Sequence, residues 1–152
     1  MVFVSQPVLL VEDDEGDRLL IRRSLQGLRP SIEINAVPTL SAAQNYLSGT
    51  GKYAGSPRPR CLVLDLNLPD GRGEGLLDWL ARSERLRDLP VIVLSADAVT
   101  PTWPNLVGVV SKPVDLEGYE RLSGALGGLI LAAVDGSLPG NDNFGLDRTP
   151  RI

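Results

Sequence analysis

Carboxylates, an amide, a hydroxyl and an ammonium group stand where short apolar runs of this chain stop. Glu12, Asp13 and Asp14 follow the run at Val8–Val11. Asp65 and Asn67 close the run that begins at Cys61, Ser95 closes Val91–Leu94, and Lys112 comes just after Leu106–Val110. Carboxylates a few ångströms apart repel, and one of them would be driven to protonate unless a cation lies between them. Mg²⁺ suits such a set, because it accepts one or two carboxylates, a carbonyl and waters, and then adds phosphate oxygens. A lysine at the same end of the sheet is a point charge able to reach a phosphoryl oxygen. Lysine is scarce here: Lys52 and Lys112 are the only two among fifteen basic residues. Each feature alone has a plain explanation, since acids often lead helices and a surface lysine is ordinary. Their coincidence at the ends of four separate runs is the signal.

The elements that must hold these groups are legible from periodicity. Val8–Val11 is a buried strand, followed by helical spacing of Leu19, Leu20, Leu25 and Leu28 over residues 15–28, stopped by Pro30. A second strand at Ile32–Val37 ends at Pro38, and Thr39 can cap a helix through Ala42, Ala43, Tyr46 and Leu47. The glycine- and proline-rich stretch 48–60 reads as a long mobile loop. Cys61–Leu66 is a third strand, residues 75–85 a helix, and Val91–Leu94 and Leu106–Val110 the last two strands. Asp115 caps a final helix with apolar positions 116, 119, 122, 126, 129, 130 and 133. Strands alternating with helices imply parallel pairing and right-handed crossovers. The expected fold is therefore a three-layer αβα, doubly wound five-stranded parallel sheet of flavodoxin-like order 2-1-3-4-5. Ligands of such sheets bind beyond the carboxyl ends of strands 1 and 3.

Composition narrows the function. A length of 152 residues and 43% hydrophobic content suit one domain, expected over residues 7–134 with a flexible tail at 135–152. A net charge of −4 without a basic block argues against nucleic acid. No apolar stretch is long enough to cross a membrane, and the lone Cys61 fits a reduced cytoplasmic setting. The absence of histidine means that any phosphohistidine must come from a partner.

Four segments together resemble the response-regulator receiver family of two-component signalling: VLLVEDDEGDRLL, CLVLDLNLPDGRGEGLL with its Leu68–Pro69 step and Gly73, LPVIVLSAD, and VVSKPVDLEGY. The resemblance covers residues 7–133. It implies that Asp65 is the phosphorylation site, that Asp13, Asp65 and the Asn67 carbonyl ligate Mg²⁺, and that Glu12 acts through a metal-bound water. It implies that Lys112 and Ser95 bind phosphoryl oxygens, with Asp14 a flanking acid. It also implies a sensor histidine kinase as donor, a downstream target or phosphotransfer protein, and no turnover of outside substrates. The loop at 48–60 and the KPVDLE segment resemble the small receivers that partner bacterial phytochromes.

The chain departs from that family in three places. Pro101 and Pro104 fall in the short segment between the fourth and fifth strands, so the fourth helix is expected to be missing or reduced. Val109 stands at the aromatic switch position, leaving Trp103 either to substitute or to cover the sheet edge. The last helix carries Gly118, Gly124, Gly127 and Gly128, and with Leu129, Ile130 and Leu131 this suggests a partner or homodimer surface. With no output module in view, a stand-alone regulator is expected. The alternatives are a phosphorylation-independent adaptor on the same fold, a haloacid-dehalogenase-type phosphatase, disfavoured by Asn67 in place of a second acid, and a flavin binder, disfavoured by the acidic turn.

Overall fold

Continuous apolar strands with helices on both sides are what the chain builds. The computed structural model describes residues 5–28, 31–96 and 103–135. The main strands are β1 (Gln6–Val11), β2 (Ile32–Val37), β3 (Cys61–Asp65), β4 (Val91–Ser95) and β5 (Leu106–Ser111). They form one parallel sheet in the order β2-β1-β3-β4-β5. The helices are α1 (Glu15–Ser24), α2 (Leu40–Ser48), α3 (Glu74–Ala81) and α4 (Leu116–Asp135). The doubly wound order expected from the sequence is the one found. Among the described residues no helix lies between β4 and β5, although residues 97–102 of that segment are outside them. So are Pro30 and the tail from residue 136 onwards.

Strand alternation sorts the core into two halves. Leu9, Val11, Leu62, Leu64, Val91 and Val93 face α2 and α3. Val8, Leu10, Cys61, Val63, Ile92 and Leu94 face α1 and α4. Cys61 is wholly buried in the second half, and burial pushes its thiol up to about 12. A folded-state value raised from the ordinary 9.0 means that its contribution to stability is lost as pH rises from about 9 towards 12. At pH 8 a disulfide reagent should leave Cys61 untouched in the native chain and label it in urea; equal rates in both would contradict its burial.

Several elements are shorter than the periodicity predicts. α1 stops at Ser24 because Leu25 and Gln26 donate to carbonyls three residues back and Gly27 turns at φ 87°. Leu25 and Leu28 still pack inward, but Leu19 is exposed. α3 stops at Ala81, after which Ser83 caps a turn through Leu86 N–H. The stretch expected to be a mobile loop contains a 3₁₀ turn at Gly51–Tyr53. Tyr53 packs on Tyr46 with ring centroids 5.4 Å apart, and the Tyr46 hydroxyl donates to the Pro57 carbonyl.

α4 runs unbroken through its glycines. Ile130 is fully buried, and Leu129 lies over Gly108 so closely that a Cβ there would meet it at 2.9 Å. These two residues therefore serve the chain's own core, which corrects their assignment to a partner surface. Gly127 is buried against Leu28, whereas Gly124 and Gly128 are exposed, and a Cβ added at either would meet nothing within 4 Å. Leu116, expected inward, is exposed.

Candidate functional site

The parallel register brings the chemistry to one edge. Val11 pairs with Leu64, so Glu12 follows beside Asp65; Asp65 pairs with Leu94, and Ser95 with Ser111. Alternation then aims three side chains to the same side. Glu12 continues the phase of Val8 and Leu10, Asp65 that of Cys61 and Val63, and Lys112 that of Val110, all on the face covered by α1 and α4.

Glu12 is fully buried and Asp65 nearly so, while Asp13 is exposed. One carboxylate oxygen from each of Glu12, Asp13 and Asp65 lies within 4.8 Å of the others. Lys112 Nζ reaches into this group, 2.8 Å from Glu12 Oε1, 3.0 Å from Asp65 Oδ2 and 3.0 Å from Asp17 Oδ2. Asp65 is held from both sides, since its Oδ1 accepts the Asn67 N–H at 3.0 Å while Oδ2 accepts from Lys112. Burial pushes the Glu12 carboxyl above the usual carboxylate range, against the opposing pull of Lys112 and the Asp14 N–H. Burial would lower the Lys112 ammonium, but its partners Glu12, Asp65 and Asp17 outweigh that and hold it well above an ordinary lysine.

The remaining expected residues are placed as follows. Ser95 is buried at the end of β4, and its carbonyl accepts the Lys112 N–H at 2.7 Å. Asn67 begins a two-residue hairpin with Arg72, whose guanidinium donates to its side-chain oxygen. Asp14 caps α1 by accepting the Asp17 N–H at 2.8 Å, in keeping with a flanking role. Val109 lies partly exposed on β5. Trp103 packs on the α2–α3 side and donates to Asp78, so it covers that edge of the structure.

Three residues around the site are not evident from the strand ends. Asp17 joins Lys112 from α1, and Tyr119 of α4 donates its hydroxyl to Asp17 Oδ1 at 2.8 Å. The one hint in the sequence is that Asp17 falls in the first turn of the helix that directly follows the acidic end of β1. Asp70 accepts the N–H groups of Leu40 and Ser41, tying the loop after β3 to the start of α2. These hydrogen bonds hold its carboxyl below the usual range.

Gly73 lets α3 approach the site. A Cβ there would lie 3.1 Å from both the Asp65 carbonyl oxygen and Leu66 Cα, backbone atoms that cannot step aside. Gly73→Ala should cost about 1–3 kcal/mol in urea unfolding. An unchanged midpoint would show that the loop yields.

No family model matches the chain. Sequence relatives do. The probable methanogenesis regulatory protein FilR2 of Methanothrix harundinacea is 35% identical over 119 residues, covering 75% of this chain and 76% of that protein. The chain belongs to the response-regulator receiver family. Response regulator Rcp1 of Synechocystis is 35% identical over 88 residues, 58% of this chain, and the match spans only 60% of Rcp1's length. The fold agrees with the structure of the phosphorylated cyanobacterial phytochrome response regulator RcpA, with a TM-score of 0.74, 25% identity, and 85% and 96% of the two chains covered. Rcp1 in its Mn(2+)-bound form superposes with a TM-score of 0.71 at 26% identity, covering 80% of this receiver and 91% of that chain. Among the described residues of this receiver, no helix is long and apolar enough to cross a membrane.

Proposed function

We propose that this receiver accepts a phosphoryl group on Asp65 from the phosphohistidine of a sensor histidine kinase, in a reaction that requires Mg²⁺. The observation that carries this is the placement of one ammonium and two further acids around a single buried, doubly held aspartate. The metal fits the residues present. All the donors are oxygens, and the buried Glu12 Oε1 has only the Lys112 ammonium beside it, 2.8 Å away. Asp13, Asp65 and the Asn67 carbonyl would hold the ion, with Glu12 acting through a bound water. When bound, Mg²⁺ offsets the negative charge of the acids and of the incoming phosphoryl oxygens.

The chain's own groups do the rest. An Asp65 oxygen forms the new P–O bond as the P–N bond to the donor imidazole breaks, the electron pair leaving with that nitrogen. The Asn67 N–H and Lys112 fix the carboxylate for in-line approach. Lys112 then turns its charge to a phosphoryl oxygen, and Ser95 supplies a hydroxyl to another. The reaction is confined to Asp65, so no outside substrate is turned over. A second carboxylate acid for ester hydrolysis is missing, because the residue two after Asp65 is Asn67 and its amide oxygen is engaged by Arg72.

The likeness to RcpA, a phytochrome response regulator, supports a phytochrome-type kinase as the donor. In this reading the next partner is a protein target or phosphotransfer protein, in the cytoplasm. Incubation with Mg²⁺ and a small acyl phosphate, followed by intact-mass measurement, tests the reading. One added phosphate that disappears when EDTA replaces Mg²⁺ is expected; an unchanged mass with the metal present would refute it.

A further inference from the structure

Asp17 grips two residues that lie seven positions apart. Its Oδ2 is 3.0 Å from Lys112 Nζ, and its Oδ1 accepts the Tyr119 hydroxyl at 2.8 Å. Lys112 and Tyr119 bracket the chain that leaves β5 and enters α4. The grip therefore closes a ring: Lys112, Pro113 to Gly118, Tyr119, Asp17 and back to Lys112.

The segment inside that ring has little slack. Asp115 caps α4 through the Gly118 N–H at 2.8 Å, and Gly118 sits so close to Pro113 that a Cβ would meet it at 2.8 Å. Tyr119 is only 5% exposed, which fixes its ring in the core beneath the first turn. At the same time Val114 is 95% exposed and Leu116 64%, so a shift of this segment alters the molecular surface.

Among the described residues, Lys112 is the cation that reaches all three acids Glu12, Asp17 and Asp65. An ammonium has three N–H groups, so gaining a new oxygen partner requires weakening an existing one. Of its three partners, Asp17 is the one outside the metal-ligating set and the most exposed, with 27% of its side chain accessible. It is the partner most easily released.

We propose that Asp17 and Tyr119 form the link by which phosphorylation of Asp65 is transmitted to the first turn of α4. When Lys112 turns to a phosphoryl oxygen its hold on Asp17 loosens, Asp17 re-settles on Tyr119, and the segment from Val114 to Leu122 changes its packing. This link bypasses the position of Val109 and the segment between β4 and β5. It rests on the phosphoacceptor reading above.

Hydrogen exchange of the amides at 114–122, followed by mass spectrometry, tests it. Wild type, Tyr119→Phe and Asp17→Asn are compared before and after treatment with Mg²⁺ and a small acyl phosphate, with intact mass reporting the phosphate. Wild type should take up phosphate and shift its exchange in this segment. Tyr119→Phe keeps the ring and loses the hydroxyl; it should take up phosphate to the wild-type level with less than about half of the exchange shift. Asp17→Asn keeps an oxygen for Tyr119 but loses the charge on Lys112, and its shift per phosphorylated molecule should fall likewise. It carries the test if Tyr119→Phe fails to melt cooperatively. Phosphate uptake with the full wild-type shift in the folded variants overturns the link alone, as does a phosphorylated wild type with no shift. A wild type that takes up no phosphate overturns the phosphoacceptor reading and the link together.

Discussion

Asp65→Asn is expected to abolish phosphate uptake from an acyl phosphate while leaving the chain folded. The amide keeps an oxygen where Asp65 Oδ1 accepts the Asn67 N–H, so the loop after β3 retains its anchor. What it loses is the nucleophile, because an amide oxygen at that position cannot form a stable acyl phosphate. It also removes one negative charge beside Glu12, whose carboxyl is pushed up in part by Asp65. The receiver should therefore remain stable without metal, and the loss of labelling cannot be blamed on unfolding. Intact mass after incubation, read alongside a thermal melt, separates the two. Phosphate on the Asp65→Asn chain at the wild-type rate would move the acceptor elsewhere.

Lys112→Met should produce the largest change in stability. The methionine fills much of the same volume without the charge, leaving fully buried Glu12 and nearly buried Asp65 without their ammonium partner. Breaking a buried pair by removing one partner costs about 3 kcal/mol or more, equivalent to a fall of about 9 °C in Tm for a domain of this size. The measurement belongs in EDTA. Adding Mg²⁺ should then raise the Tm of the variant by more than that of wild type, because a cation replaces the lost charge and binds only the folded site. Phosphate uptake should still fall, by about a hundredfold, since the phosphoryl oxygens lose their charged partner. A variant that melts with wild type in EDTA and gains nothing extra from Mg²⁺ would show that the three acids do not depend on Lys112.

Much of this site is legible in the order of residues. Glu12, Asp65, Ser95 and Lys112 each follow an apolar run, and a parallel doubly wound sheet gathers the ends of such runs at one edge. The period of two even assigns the face, because counting back from Glu12, Asp65 and Lys112 meets buried residues of the same core half. Pro101 and Pro104 likewise disfavour an ordinary fourth helix through the backbone N–H groups that they lack. Helix ends are less legible, since apolar spacing continues through Leu28 and beyond Ala81 while hydrogen bonding has already turned.

By itself, then, the order of residues determined the sheet, its functional edge and the groups delivered there, because backbone pairing and side-chain alternation are local rules repeated along each strand. Only the tertiary structure decided which helix side chains join them. Asp17 and Tyr119 are 102 positions apart, and their contact depends on how α1 and α4 pack against the same face. Asp70 meets α2 across 30 positions for the same kind of reason. Such meetings follow from packing angles and volumes summed over a whole layer, and no spacing in the chain encodes them.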